Sequence, residues 1–317
     1  VVFVFCGQSQ HILSFQITIL GSSGAFPAYG RHTSAQLVEI QSRYLLVDCG
    51  EAVQMQLMKY DISFHKINYI FISHLHGDHY LGLMGLIFSM HLHKRVTDLH
   101  IFGHQGLDEI ITTQLKYAES TPSFKIIFHR LNENRREIVL DEKAFTVETI
   151  PLHHKIKCSG FLFREKPKPR RIDKGALPVG LLIQQLAALK RGEDILDDNG
   201  NILYHNAVLT HPPKRSRSYA YCSDTAHFPP IIEQIDRVNV LYHEATFLQE
   251  DEDKALATKH STAEQAASIA LRANVDRLLI GHFSARYKDL APLLSEARKI
   301  FPSTHLAIEG ERFSIPD

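Results

Sequence analysis

Cysteine is scarce in this chain of 317 residues: Cys6, Cys49, Cys158 and Cys222 are scattered, with no Cys-x-x-Cys pair among them. That excludes a disulfide framework and a cysteine zinc ribbon, and it points to a reducing, cytoplasmic environment. Excess charge is missing as well, because 35 basic residues balance 35 acidic ones. No global field advertises a polyanionic partner, so a nucleic acid would have to be gripped by local patches. No apolar run has the length needed to span a bilayer, and no membrane partner is expected. The apolar start at residues 1–6 lacks a basic region and is cut short by Gly7-Gln8-Ser9-Gln10-His11. It therefore does not read as a secretory signal.

Histidine is what the chain has in surplus, with 20 residues that cluster. The densest stretch is His74-Leu75-His76-Gly77-Asp78-His79, and it follows an apolar, β-rich run over residues 67–73. Such a run predicts a buried strand whose C-terminal end presents the cluster, which is where α/β sheets place their active sites. Alternate residues on extended backbone point the same way, so His74 and His76 can chelate one ion while Asp78 and His79 face a neighbouring position.

The rest of the chain alternates in the same manner. Strands are expected over 15–20, 34–40, 43–47, 99–102, 125–129, 145–151, 219–224, 238–242 and 277–282. Helices are expected over 52–60, 81–91, 107–120 and 290–300. This is an α/β pattern. The loop Gly21-Ser22-Ser23-Gly24-Ala25-Phe26-Pro27 either touches phosphate or simply joins two strands. Asp48, at the end of a strand, either orients a metal-binding histidine or caps a turn. Ser261 followed by Glu264 reads as a capping box, with His260 beside the positive helix end, where a phosphate could bind.

Five strand ends carry His or acidic residues: His74 to His79, the pair His153-His154, Asp224, His243-Glu244, and His282. Random scatter would not favour strand termini, so these residues are expected to converge on one sheet edge. Two sites can be assembled from them. His74, His76 and His154 would hold one ion, and Asp78, His79 and His282 a second. Asp224 would bridge, because a carboxylate has an oxygen for each. Nitrogen and oxygen donors of this kind suit zinc, with manganese or iron as alternatives. A pair of ions activates water and clamps a phosphoryl group, so phosphodiester hydrolysis is the natural use.

Between residues 164 and 174 six basic residues, Arg164, Lys166, Lys168, Arg170, Arg171 and Lys174, stand against two acidic ones, Glu165 and Asp173, and are broken by Pro167 and Pro169. A helical stretch over 180–190 follows. The whole reads as an arm projecting from a single domain, with charge suited to a phosphate backbone. Lys214, Arg215 and Arg217 make a second basic cluster.

The His-x-His-x-Asp-His motif with a distant His, Asp and His resembles the metallo-β-lactamase superfamily. That resemblance implies an αβ/βα four-layer sandwich with a dinuclear site between its halves. The motif alone leaves lactamases, glyoxalases, flavodiiron proteins and nucleases open. Asp48-Cys49-Gly50-Glu51, His243-Glu244-Ala245-Thr246-Phe247, His260-Ser261-Thr262 and Gly281-His282-Phe283-Ser284-Ala285-Arg286-Tyr287 narrow it. Together they resemble the short form of the ribonuclease Z family, tRNA 3′-end processing endonucleases, from about residue 16 to the C-terminus.

The resemblance implies that the family's seven ligands fall on the residues named above. Within the His153-His154 pair it favours His154, because Gly160 follows it by six residues. It also implies Asp78 as proton acceptor, a Glu244–His260 pair that protonates the leaving 3′ oxygen, two zinc ions per subunit, and precursor tRNA as substrate. The segment 164–190 would be the tRNA-binding exosite of a homodimer. The family's Pro-x-Lys-x-Arg-Asn loop stands here as Pro27-Ala28-Tyr29-Gly30-Arg31-His32, without the lysine and the asparagine. Gly180-Leu181 replaces a common Gly-Pro pair, and Ser223 replaces a frequent glycine. The competing reading is a small-molecule phosphodiesterase or other hydrolase of the same superfamily, for which a distant basic grip has no use.

Overall fold

A computed structural model of the chain describes residues 15–132 and 135–317. The apolar N-terminal stretch discussed above lies outside the described residues. Six strands run in order through the first half of the chain: β1 (Phe15–Gly21), β2 (Ala35–Ile40), β3 (Arg43–Val47), β4 (Ile67–Phe71), β5 (Leu99–Gly103) and β6 (Ile126–Arg130). They form one sheet with the late strand Arg312–Ser314 beside β1. β1 to β3 pair antiparallel, as short connections require, while β3 to β6 pair parallel through helical crossovers. Those crossovers include α1 (Val53–Lys59), α2 (Gly77–Tyr80) and α3 (Leu83–Leu92).

A second seven-stranded sheet holds β7 (Ile138–Asp141), β8 (Phe145–Pro151), β9 (Ser159–Glu165) and the strands Ser218–Cys222, Val240–Glu244, Arg277–Gly281 and Thr304–Leu306. The last four pair parallel.

Side-chain alternation sorts these strands into layers. In β3, Leu45 and Val47 join the central core while Leu46 faces the other way. In Ser218–Cys222, Tyr219 and Tyr221 join that same central core while Ala220 and Cys222 meet the helices behind. The central core therefore draws Phe71, Phe102, Phe161, Phe163, Tyr219 and Tyr242 from both sheets. Outside it, α1 and α3 cover the first sheet, and the alanine-rich face of helix Ala263–Arg272 covers the second. This is the four-layer αβ/βα sandwich expected from the sequence. Among the described residues no helix is long and apolar enough to cross a membrane.

Residues Arg164–Arg217, with Asp317, form a second compact unit that contains the expected arm. Its helix spans Ile183–Arg191, and the short strand pairs Arg171–Ile172 with Thr210–His211 and Ile195–Leu196 with Ile202–Tyr204 accompany it. Leu189, Ile195 and Leu209 make its small core. Glu165 is buried there, 2.6 Å from Arg217 and 3.0 Å from Lys168. Burial pushes its carboxyl upward, but the Arg217 hydrogen bonds outweigh that and hold it at about 2.

Candidate metal centre and catalytic cleft

Strands that end in register deliver the site. In the first sheet Val47 pairs with Phe71, so Asp48 and Ser73-His74 leave the sheet close together. In the second, Cys222 pairs with His243 and Glu244 with Gly281, which places Asp224, Glu244 and His282 along one edge. Asp48, Asp224 and His282 all turn through left-handed backbone, with φ of 55°, 57° and 58°. Residues other than glycine avoid that region, and such strain gathers where function over-determines the geometry.

Two clusters of donor atoms result. His74, His76, His154 and Asp224 form one, and Asp78, His79 and His282 the other, with the atoms of each within 4.8 Å of one another; Asp224 and His282 also make such a set with His260, drawn across the two. Asp224 stands between them. Its Oδ1 lies 3.7 Å from His74 Nε2 and 3.8 Å from His154 Nε2. Its Oδ2 lies 3.0 Å from His79 Nε2 and 3.3 Å from His282 Nε2. Asp78 Oδ2 closes the second cluster at 3.3 Å from His79 Nε2 and 3.4 Å from His282 Nε2.

The chemistry of these donors fits a pair of cations. His76 Nδ1 faces His74 Nε2 at 3.0 Å and His154 Nε2 at 3.2 Å. Burial lowers the pKa of all three rings, so they are neutral and crowd lone-pair nitrogens around one point. His79 Nε2 is buried and makes no hydrogen bond among the described residues, although two carboxylate oxygens converge on it. Burial opposes charge on that ring, but Asp224, Asp78 and Asp48 outweigh it and raise its pKa well above the usual value. A cation seated among those carboxylates would replace the proton that they otherwise hold on the His79 ring.

The remaining ring nitrogens are held from behind, as ligating imidazoles generally are. His79 Nδ1 meets Asp48 Oδ2 at 2.7 Å, and His74 Nδ1 meets Ser73 Oγ at 3.0 Å. His154 Nδ1 meets the Lys259 carbonyl at 3.0 Å, and His282 Nδ1 meets Thr246 Oγ1 at 2.9 Å. Asp48 thus takes the orienting role of the two left open by the sequence. Ser73 and Thr246 carry no sequence signal of their own beyond standing next to the recognised motifs.

Glu244 is buried and fully engaged. It accepts from Thr225 N at 2.6 Å, Thr246 Oγ1 at 2.5 Å and Ser261 N at 3.1 Å. His260 Nδ1 sits 2.9 Å from its Oε1. That contact fixes the imidazole with Nδ1 toward the glutamate and leaves Nε2 for the cleft. Burial works against charge on His260, yet Glu244 outweighs it and raises the group to about 9. The expected capping box is displaced by one residue: Thr262 caps the helix and Gln265 completes the box. Ser261 is diverted because its hydroxyl donates to the Thr225 carbonyl at 2.7 Å while its amide serves Glu244.

Asp78, Asp224, His76, His260 and His282 all line one cleft of about 720 Å³. The loop after β1 forms part of its wall and binds the site directly, since the Ala25 amide donates to Asp78 Oδ2 at 2.8 Å. His153 belongs to neither cluster. Its ring packs 5.7 Å from Phe228 and lines a separate cavity of about 220 Å³. Replacing His154 by alanine is therefore expected to reduce bound metal from two ions per chain toward one, while His153→Ala leaves the content unchanged. Elemental analysis after gel filtration decides this, and the reverse pattern would transfer the role to His153.

Of the six basic residues expected to meet substrate, Arg171 and Lys174 are exposed. Lys168 is tied to Glu165 and, at 2.5 Å, to Asp317. Arg170 Nε donates to Thr210 Oγ1 at 2.7 Å. Arg164 and Lys166 lie at intermediate depth.

The chain is 48% identical to the ribonuclease Z of Cytophaga hutchinsonii over 305 residues, which cover 96% of this chain and 97% of that protein. The chain belongs to the ribonuclease Z family. The ribonuclease Z of Bacteroides fragilis is 44% identical over 93% of this chain and 97% of its own. Among solved structures, human tRNase Z, short form, superposes with a TM-score of 0.70 at 25% identity, covering 95% of this chain and all of that one. The four-layer architecture is thus the metallo-β-lactamase fold of the ribonuclease Z short form. A family model described as anti-Pycsar protein Apyc1 matches residues 15–167. That stretch contains the residues from His74 to His79 and His154 but not Asp224, Glu244, His260 or His282, so it spans only part of the candidate site.

Proposed function

We propose that the chain removes the 3′ trailer from precursor tRNA, with two zinc ions held by the two donor clusters around Asp224. Manganese or iron would suit the same nitrogen and oxygen donors. Bound there, the ions supply Lewis-acid stabilisation of the phosphoryl group and a lowered pKa for water. The protein's own residues supply the proton traffic. Water adds to phosphorus and gives a proton to the Asp78 carboxylate. The bond from phosphorus to the 3′ oxygen breaks, and that oxygen takes a proton from His260 Nε2. The products are a tRNA with a free 3′ hydroxyl and a trailer with a 5′ phosphate.

The observation that carries this reading is the Glu244–His260 pair opening onto the same cleft as both clusters. A hydrolase acting on a good leaving group has no need of a proton donor there, whereas departure of a ribose 3′ oxygen does. The raised pKa of His260 keeps the donor charged at neutral pH, and bound cations would bring it down toward the working range.

We assign tRNA binding to the arm at 164–190, with the exposed Arg171 and Lys174 as the primary phosphate contacts. A double change to glutamate, Arg171→Glu with Lys174→Glu, is expected to raise KM for precursor tRNA about tenfold. It should also reduce the slope of log KM against log salt by about two, the counterions those cations would release. An unchanged slope would remove both residues from the interface. We propose a homodimer as the working unit. α1 and α3 pack on each other and leave Met55, Met58 and Leu92 exposed, apolar surface of the sort a partner covers. Sedimentation velocity tests this. The buried free thiols Cys49, Cys158 and Cys222 suit the reducing cytoplasm we propose for it.

The direct test is incubation with a precursor tRNA carrying a 3′ trailer, with and without chelator, mapping both new ends. Chelator-sensitive cleavage at the acceptor end, giving the two termini above, is the expected result. No cleavage by folded, zinc-loaded protein would overturn the assignment.

A further inference from the structure

Once the hydrolytic groups are assigned, the rest of the cleft lining holds Phe26, Phe247 and Arg286 among small residues such as Gly24, Ala25 and Ser284. Phe26 is 58% exposed. Its loop is nonetheless fixed. The Ser23 hydroxyl donates to the Phe26 carbonyl at 2.9 Å, the Phe26 amide to Gly24 O at 2.8 Å, and the Gly24 amide to Phe283 O at 3.0 Å. Ala25 is held at a φ of 65°, with its amide on Asp78. A rigid loop that keeps a phenylalanine ring in water, one residue from the contact to the proton acceptor, gains nothing from that ring in the folded chain alone.

Phe247 and Arg286 are built into the cleft differently. Phe247 is nearly buried, and the Arg286 guanidinium lies 5.2 Å from its ring centroid. Arg286 is steadied by Asp251 at 3.7 Å. A guanidinium stacked on one ring still offers its second planar face, the surface on which nucleobases stack.

We propose that Phe26 and the Arg286–Phe247 stack are two jaws that hold the nucleobases on either side of the scissile phosphodiester. The assignment of sides rests on the cleavage reaction proposed above. The departing 3′ oxygen belongs to the last tRNA nucleotide and leaves toward His260, and Phe247 is the aromatic next to His260, with ring centroids 6.3 Å apart. That base therefore stacks on Arg286. Phe26 follows Ala25, whose amide holds the proton acceptor Asp78, and takes the first base of the trailer. Stacking on a π face tolerates any base, as trailers of varied sequence require.

The test uses precursor tRNA with 2-aminopurine at one of the two positions, bound to Asp78→Asn protein so that the substrate stays intact. Binding is expected to quench the probe at both positions. Adding Phe26→Ala should abolish the quench on the trailer side alone, Phe26→Tyr should restore it, and Arg286→Ala should abolish it on the tRNA side alone. In the otherwise intact enzyme, Phe26→Ala should raise KM for precursor tRNA about tenfold. An unchanged trailer-side quench, or equal loss at both positions, would overturn the two-jaw assignment. Wild-type cleavage of unlabelled precursor is run alongside, and its absence would overturn the reaction and the jaws together.

Discussion

Asp78→Asn should lower kcat on precursor tRNA by about a thousandfold, within the range that loss of a positioned general base produces, while the precursor still binds. Burial pushes the Asp78 carboxyl upward, but His79 and His282 outweigh it and hold the group well below the usual carboxylate range. It is therefore ionised at every working pH and ready to accept a proton. Asparagine keeps an oxygen for the Ala25 amide, so the loop beneath Phe26 retains its anchor. It cannot take the proton, and as a neutral donor it also weakens the cluster with His79 and His282. Single-turnover cleavage at saturating enzyme, filter binding of precursor tRNA and metal analysis separate these effects. Turnover within tenfold of the native enzyme would move the proton acceptor elsewhere. Lost binding would place Asp78 in substrate affinity instead.

The second large effect is expected at a residue that touches no substrate. Asp48 is fully buried and accepts from Ser73 N at 2.7 Å, Ser73 Oγ at 2.9 Å, His79 Nδ1 at 2.7 Å and Tyr221 Oη at 2.7 Å. Every neighbour donates, so an asparagine must turn its amide group toward at least one of them. Asp48→Asn is expected to cost about 3–5 kcal/mol, the cost of breaking a buried ion pair from one side, and to lower Tm by about 10 °C. Because the carboxylate also sets the tautomer of His79, metal affinity should fall by about 10- to 100-fold. Thermal denaturation of the metal-free protein isolates the first effect, and competition with a chromophoric chelator measures the second. Unchanged values of both would return Asp48 to a mere turn residue.

The outlines of the site were open to reading because its signals are local. An apolar β-rich run that breaks into His74-Leu75-His76-Gly77-Asp78-His79 announces a strand end loaded with donors. The same form recurs before Asp224, Glu244 and His282. The strands that periodicity predicts stand within about two residues of where it puts them, but β9 (Ser159–Glu165), seven residues long and inside the second sheet, is not among them. Short edge strands such as Arg312–Ser314 and Ile138–Asp141 offer too few residues for a period to show. Ser261 misled because a capping box is a spacing rule, and Thr262-x-x-Gln265 obeys the same rule one residue on. What decided between them was Glu244, 17 residues away in sequence, which claims the Ser261 amide.

By itself, then, the sequence determined the alternation of strands and helices, the donor set, and through its motifs the family. All of these rest on neighbours along the chain. Only the tertiary structure decided which oxygen of Asp224 faces which cluster, that Asp48 rather than water holds His79, and that Lys168 is occupied by Glu165 and Asp317 while Arg171 and Lys174 are exposed. The first two outcomes follow from two sheets presenting strand ends to each other across a shared core, and the last from the packing of the second compact unit. Tyr221 reaching from the second sheet to Asp48 at the end of β3 is a contact across 173 residues that no spacing along the chain encodes.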